Sequence, residues 1–256
     1  MRNCIFCGER ASTKEDAWPL WLVRRLPTPH GVRIEARRRG KSLEGWKALR
    51  HGITVRFVCA ECNNGWMSQL ETRAKPVVEK FLDEPQFQLS REEQSTLAIW
   101  MAKNAMVFEA LRGHRVWFYD QDEREALRLS RTIPARTTVW LAKCLNLPGA
   151  YCSATDHSET ARQGPDETRL YVTTMAFGKL ALQVATARLA PALPPDAPVT
   201  VDVTPGPWEQ CTLSTWPTPS ESLAWPPQVD LVGELGVEAF HSRWGKDSDE
   251  PTRAAV

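Results

Sequence analysis

Nowhere in the 256 residues does an apolar run approach the roughly 18–20 residues that a bilayer-spanning helix needs, so no membrane span is expected. The start, MRNCIFCGER, lacks the charged-then-apolar order of a secretory leader. A cytoplasmic chain with reduced thiols is the expectation, which turns its cysteines toward metal binding or redox work rather than disulfides. There is no internal repeat and no long low-complexity segment, which argues against a repeat array. No element that reads base edges is recognisable either, so any nucleic-acid contact is expected through phosphate and not through sequence. Oligomeric state leaves no mark on the sequence.

What is present is an ordinary globular composition, 42% apolar and 25% charged, with unusual numbers of Trp (11) and Pro (19). Several of these adjoin, as in Trp18-Pro19, Trp216-Pro217 and Trp225-Pro226-Pro227. Charge is unevenly spread. Residues 1–75 hold fifteen Lys/Arg against seven Asp/Glu, a net +8, and the whole chain is +1, which leaves −7 for the remainder. A basic third on an acidic body suits a phosphate-backbone partner, DNA or RNA. A solvated hairpin with Arg37, Arg38 and Arg39 at its tip accounts for the same charge.

Cysteine spacing carries the most chemistry. Cys4 and Cys7 form one Cys-x-x-Cys hook, and Cys59 and Cys62 another. Two hooks bring four thiolates around one zinc, and a closed four-sulfur shell leaves no position for a substrate, so the metal is expected to be structural. A redox role requires one hook opening a helix in a thioredoxin-like setting, and that setting is absent. Cys144, Cys152 and Cys211 lack pairing and are expected as small buried residues.

Hydrophobic periodicity gives a coarse layout. GVRIEARRR and GITVRFVC alternate as strands, and AWPLWLVRRL reads as a short helix or strand. A helix from Asn63 is expected to kink or break near Pro76. Ser90 and Glu93 form a capping box ahead of a core helix with apolar positions 97, 100, 101, 105, 108 and 111, ended by Gly113. RVWFY and TTVWLAKCL read as strands flanking a helix over 122–131. DHSETARQGPDE reads as an exposed loop, and the stretch 168–189 as a strand turning into helix or into a second long strand. From Pro191 the chain reads mostly as loop, with a disordered end. The fold class is α+β: a zinc-stapled module over 1–75 packed on a larger mixed α/β region over 76–245, with a tail over 246–256.

The segments CIFC, KEDAWP and VCAECNNGWMSQLE resemble the layout of zinc-containing HNH (ββα-metal) endonucleases over residues 1 to 75. In that family a hook, an acid-His pair before a Pro and a strand into Cys-x-x-Cys-Asn opening a helix build a metal-dependent phosphodiesterase. The resemblance implies Glu15 and Asn63 as ligands of Mg²⁺ or Mn²⁺, and it puts Asp16 at the position of the general base. That base is a His in the family, and the family's central Asn is missing here. An exposed carboxylate is a far weaker base than imidazole at neutral pH. Nearby Arg24, Arg25 and Arg56, with a bound cation, are expected to hold Asp16 low against desolvation beside Trp18. His51 is a substitute base from the second strand. Glu15 or Asp16 capping the AWPLWL segment is the plainer alternative. Three functions stay open: an HNH-like nuclease of weakened activity, an inactive zinc-stapled module binding nucleic acid or protein, or another enzyme class on this scaffold with Trp100, Lys103 and Glu109 at its site.

Overall fold

The computed structural model describes residues 2–16, 19–25, 32–38, 41–48, 54–111, 117–158, 169–188, 208–217 and 219–244. The chain runs β1 (Thr13–Asp16), α1 (Leu20–Arg25), β2 (Val32–Arg38), β3 (Lys41–Ala48) and β4 (Thr54–Val58), then α2 (Ala60–Cys62), a π-helical turn over Asn63–Met67 and α3 (Ser68–Asp83). Next come β5 (Phe87–Ser90), α4 (Arg91–Leu111), α5 (Gln121–Ser130) and four long strands, β6 (Thr137–Leu145), β7 (Ala150–Ser158), β8 (Arg169–Phe177) and β9 (Leu180–Arg188). The chain ends on α6 (Trp208–Cys211), β10 (Thr212–Trp216), β11 (Ser222–Trp225), β12 (Leu231–Val232) and α7 (Gly233–Ser242). The class is mixed α and β around a curled sheet.

That sheet has the order β10-β6-β9-β8-β7-β2-β3, with β12 pairing parallel to the end of β6. Strands β6, β8 and β9 are buried along nearly their whole length, on both faces, because both faces are covered there. Val139 and Leu141 of β6 face the cluster that contains α4, while Trp140, Ala142 and Cys144 face the cluster that contains Phe240 of α7. Helix α4 begins at the predicted capping box: Ser90 N donates to Glu93 Oε2 at 2.8 Å and Glu93 N to Ser90 Oγ at 3.2 Å. It is buried on nearly every side, including Gln94, Lys103, Asn104 and Glu109, so it is the molecule's central rod rather than an amphipathic surface helix. Gly113 lies outside the described residues. Cys144, Cys152 and Cys211 are buried as expected.

β2 comes from between the cysteine hooks, yet it pairs parallel with β7, Val32 opposite Ala150, and β3 continues the same sheet as its edge. The basic hairpin of the sequence reading is thus a sheet extension; Arg39 and Gly40 at its tip lie outside the described residues.

Several expectations need correcting. The helix after Cys62 runs unbroken through Pro76, and its irregularity sits at Gly65, with φ −91 and ψ −109 inside the π turn. Trp117, Phe118 and Tyr119 are not a strand, because the N–H groups of Phe118 and Tyr119 donate to the Glu109 carboxylate and are unavailable for a ladder. The stretch 168–189 is the β8–β9 hairpin, turned at Gly178 with φ +55. Within the Pro- and Trp-rich end, the described residues 208–217 and 219–244 include strands that the sequence does not announce: β10 pairs with β6 and β11 with β5. Most of the expected exposed loop and the last twelve residues lie outside the described set.

Candidate functional site

The first hook is a tight turn. Gly8, at φ +76, donates its N–H to Cys4 O at 2.9 Å, a backbone state that glycine adopts without strain. Ile5 N–H donates to Phe57 O at 2.8 Å and ties this turn to β4. The second hook opens α2, where Cys62 N–H points at Cys59 Sγ from 3.4 Å. All four sulfurs of Cys4, Cys7, Cys59 and Cys62 fall within 4.8 Å of one another, close enough to bind one metal ion. Tetrahedral thiolate coordination at about 2.3 Å requires sulfurs about 3.8 Å apart, so the set suits a metal such as zinc. Without metal, burial pushes the Cys7 thiol up to about 11 and raises Cys62 as well. Arg128 is kept charged, against partial desolvation, by Glu125 and by the sulfurs of Cys62 and Cys7. It is a cationic neighbour for a four-thiolate cluster.

Adjoining this cluster is a cleft of about 350 Å³ whose walls include Glu15, Asp16, Asn63 and Glu71. β1 and β4 form a two-stranded antiparallel pair, Glu15 opposite Val55, and the helix that follows β4 supplies the other wall. The amide nitrogen of Asn63 donates to Thr13 Oγ1 and to the Lys14 carbonyl, both at 3.3 Å. A carbonyl can only accept, so the orientation of this amide is fixed and its Oδ1 is left for the cleft. Asn63, Met67, Glu71 and Lys75 recur every four residues along the helix and all line the cleft. Glu71 also accepts from Trp21 Nε1 at 2.9 Å, which pins α1 against α3.

Glu15 is 8% exposed and its Oε1 stands 3.6 Å from Lys103 Nζ. Burial raises its carboxyl first; Glu71 and Asp16 add repulsion, Lys103 opposes both, and the net direction is up. Asp16 is raised too, by burial. The expected arginine effect on Asp16 is overturned: Arg25 bonds Asp83 instead, Arg24 and Arg56 are exposed, and desolvation is the cause that acts. Trp18 and His51 lie outside the described residues, and among the described residues no histidine lines the cleft. Both acids sit in β1 while α1 opens only at Leu20, so neither occupies its N-cap.

Trp100, Lys103 and Glu109 do not form a site of their own. All three are buried, and Glu109 pairs with Arg124 at 2.7 Å. Sequence reasoning missed Glu71 and the Lys103–Glu15 pair. The four-residue spacing from Asn63 was a usable signal for Glu71; nothing local announces Lys103. Among the described residues, no helix is long and apolar enough to cross a membrane. Comparison with known proteins gave no matching family model, no matching curated protein and no matching solved structure.

Proposed function

We propose that the chain is a slow, divalent-metal-dependent phosphodiester hydrolase of the HNH kind, acting on nucleic acid through phosphate contacts and stapled by zinc at its four cysteines. The observation that carries this reading is the meeting of Glu15, Asp16 and Asn63 in one cleft. These are the residues that the HNH resemblance assigns to the ion and the base. Two carboxylates and an amide oxygen are hard donors that suit Mg²⁺ or Mn²⁺. Such an ion, when bound, polarises a phosphoryl oxygen and eases deprotonation of water. Glu15 and Asn63 would hold it, with Glu71 beside them in the same cleft. Asp16 takes the proton of the attacking water at its carboxylate, and Lys14 and Lys75 at the rim attract the phosphate chain. A carboxylate in the base position accounts for slowness.

A second reading, a catalytically inactive zinc-stapled module that binds nucleic acid or protein, is favoured by one observation. Lys103 already neutralises the acid that the ion needs.

Nicking of supercoiled plasmid with added Mg²⁺ or Mn²⁺ separates the two. The native protein is expected to nick slowly, Asp16→His to nick faster, and Glu15→Ala not at all. Cleavage that survives Asp16→Ala overturns the base assignment and moves it toward His51. A folded, zinc-loaded Asp16→His protein with no gain selects the inactive module.

A further inference from the structure

A second cleft, of about 630 Å³, opens beside the first cysteine hook, bordered by Cys4, Ile5 and Gly8. Three aromatic residues line it, Phe57, Trp117 and the buried Tyr119. Trp117 is 37% exposed, unlike the buried Trp66, Trp100 and Trp225. Its ring is nonetheless fixed in place. The Arg124 guanidinium lies over one face of the ring, 4.2 Å from its centroid, so a ligand stacks on the opposite face; Arg124 is itself held by Glu109 at 2.7 Å and by the Tyr119 carbonyl at 3.2 Å. An aromatic platform whose orientation is set before binding loses little entropy on capture of a flat ligand.

The remaining wall is polar and partly cationic. The exposed Arg2 places its guanidinium 4.6 Å from the Phe57 centroid, and Asn3 and Gln121 contribute side chains that both donate and accept. One carboxylate, Asp120, also lines the cleft, but it is occupied: it accepts from Glu123 N–H at 2.9 Å and faces Arg188 at 3.4 Å. The complementary ligand is a planar ring with an anionic group attached, which is the chemistry of a nucleotide, a neutral base and a charged phosphate.

From the Trp117 platform beside Arg2 we infer that this cleft seats an unpaired nucleotide of single-stranded nucleic acid, the base stacked on Trp117 and its phosphate against Arg2. Bases inside a duplex have their faces covered by neighbours, so a stacking platform selects unpaired strands. The choice of ligand rests on the nucleic-acid reading above, but not on cleavage.

The test is fluorescence anisotropy of a short labelled DNA strand and of its duplex, on the zinc-loaded protein without added Mg²⁺ or Mn²⁺. The strand is expected to bind about tenfold tighter than the duplex, and Trp117→Ala to remove about that factor from the strand alone. Trp117→Phe is expected to keep most of it, and Arg2→Gln to lower the salt slope of strand binding by about 0.7. Circular dichroism checks that each variant is folded. Equal affinity for strand and duplex, or a Trp117→Ala effect within about twofold, overturns the cleft while leaving general phosphate binding intact. No binding of either at low salt overturns both readings. AMP that binds in a Trp117-dependent way while the strand does not would make the ligand a free nucleotide and overturn the strand assignment.

Discussion

Lys103 Nζ stands 3.6 Å from Glu15 Oε1, with the two side chains 2% and 10% exposed. A rod at the heart of the sheet-packed core therefore reaches the floor of the candidate active cleft. Removing one member of such a pair strands a charge that cannot be rehydrated in place. Lys103→Met is expected to destabilise the protein by roughly 3–5 kcal/mol, and the double variant with Glu15→Gln to recover most of that. Denaturant midpoints of the four proteins check it; additive losses sink the idea of a coupled pair.

Asn63 joins the helix to β1 through two hydrogen bonds from one amide. Asn63→Ala is expected to lose about 1–2 kcal/mol of stability and any Mn²⁺-dependent nicking. Asn63→Asp keeps an oxygen for the ion but loses the bond to the Lys14 carbonyl, so it should retain metal response on a less stable protein. Thermal melts with and without Mn²⁺ distinguish the two variants.

The four hook cysteines and the other three should behave as separate classes toward a thiol reagent such as Ellman's. Burial, with a smaller contribution from Asp230, pushes the Cys144 thiol up to about 12, and burial raises Cys152 and Cys211 as well. Chelation of the metal is expected to expose only Cys4, Cys7, Cys59 and Cys62 to reaction, the others answering after denaturation. Cys62→Ser should yield protein short of one zinc equivalent, read by atomic absorption. Reaction of all the thiols in the untreated protein contradicts this.

At the β8–β9 turn, a Cβ on Gly178 would meet Leu82 Cδ2 at 2.7 Å in a backbone already at φ +55. Gly178→Ala is expected to cost roughly 1–2 kcal/mol, most of it from the left-handed backbone since the Leu82 methyl can yield. A denaturation midpoint unchanged from the native protein speaks against a strained turn.

The cysteine hooks, the capping box and strand Thr137–Leu145 were legible because each is written within a short window. Cys59 and Cys62 declare their purpose by spacing, and Ser90 and Glu93 by theirs. β10, β11 and β12 were not legible: each is short, and the partner that makes it a strand lies far off in sequence. A break at Pro76 is the natural expectation because a missing N–H is visible in sequence, whereas a π turn at Gly65 depends on how the hook joins α3. At the site, Glu15, Asp16 and Asn63 were readable from motif position and Glu71 from helical spacing. Lys103 was not, because its contact with Glu15 arises only when α4 packs against the β1–β4 pair.

The parallel pairing of Val32 with Ala150 has a consequence for how the chain is made. During synthesis β2 emerges long before β7 exists, and it must wait as half of an unfinished sheet edge. A metal clasping the hooks at Cys7 and Cys59 would close both ends of the waiting segment, so the hairpin searches for β7 from a short anchored loop and not from a free chain end. An ion held by the four cysteines would then act as a chaperone in miniature, keeping an exposed strand at home until its neighbour arrives.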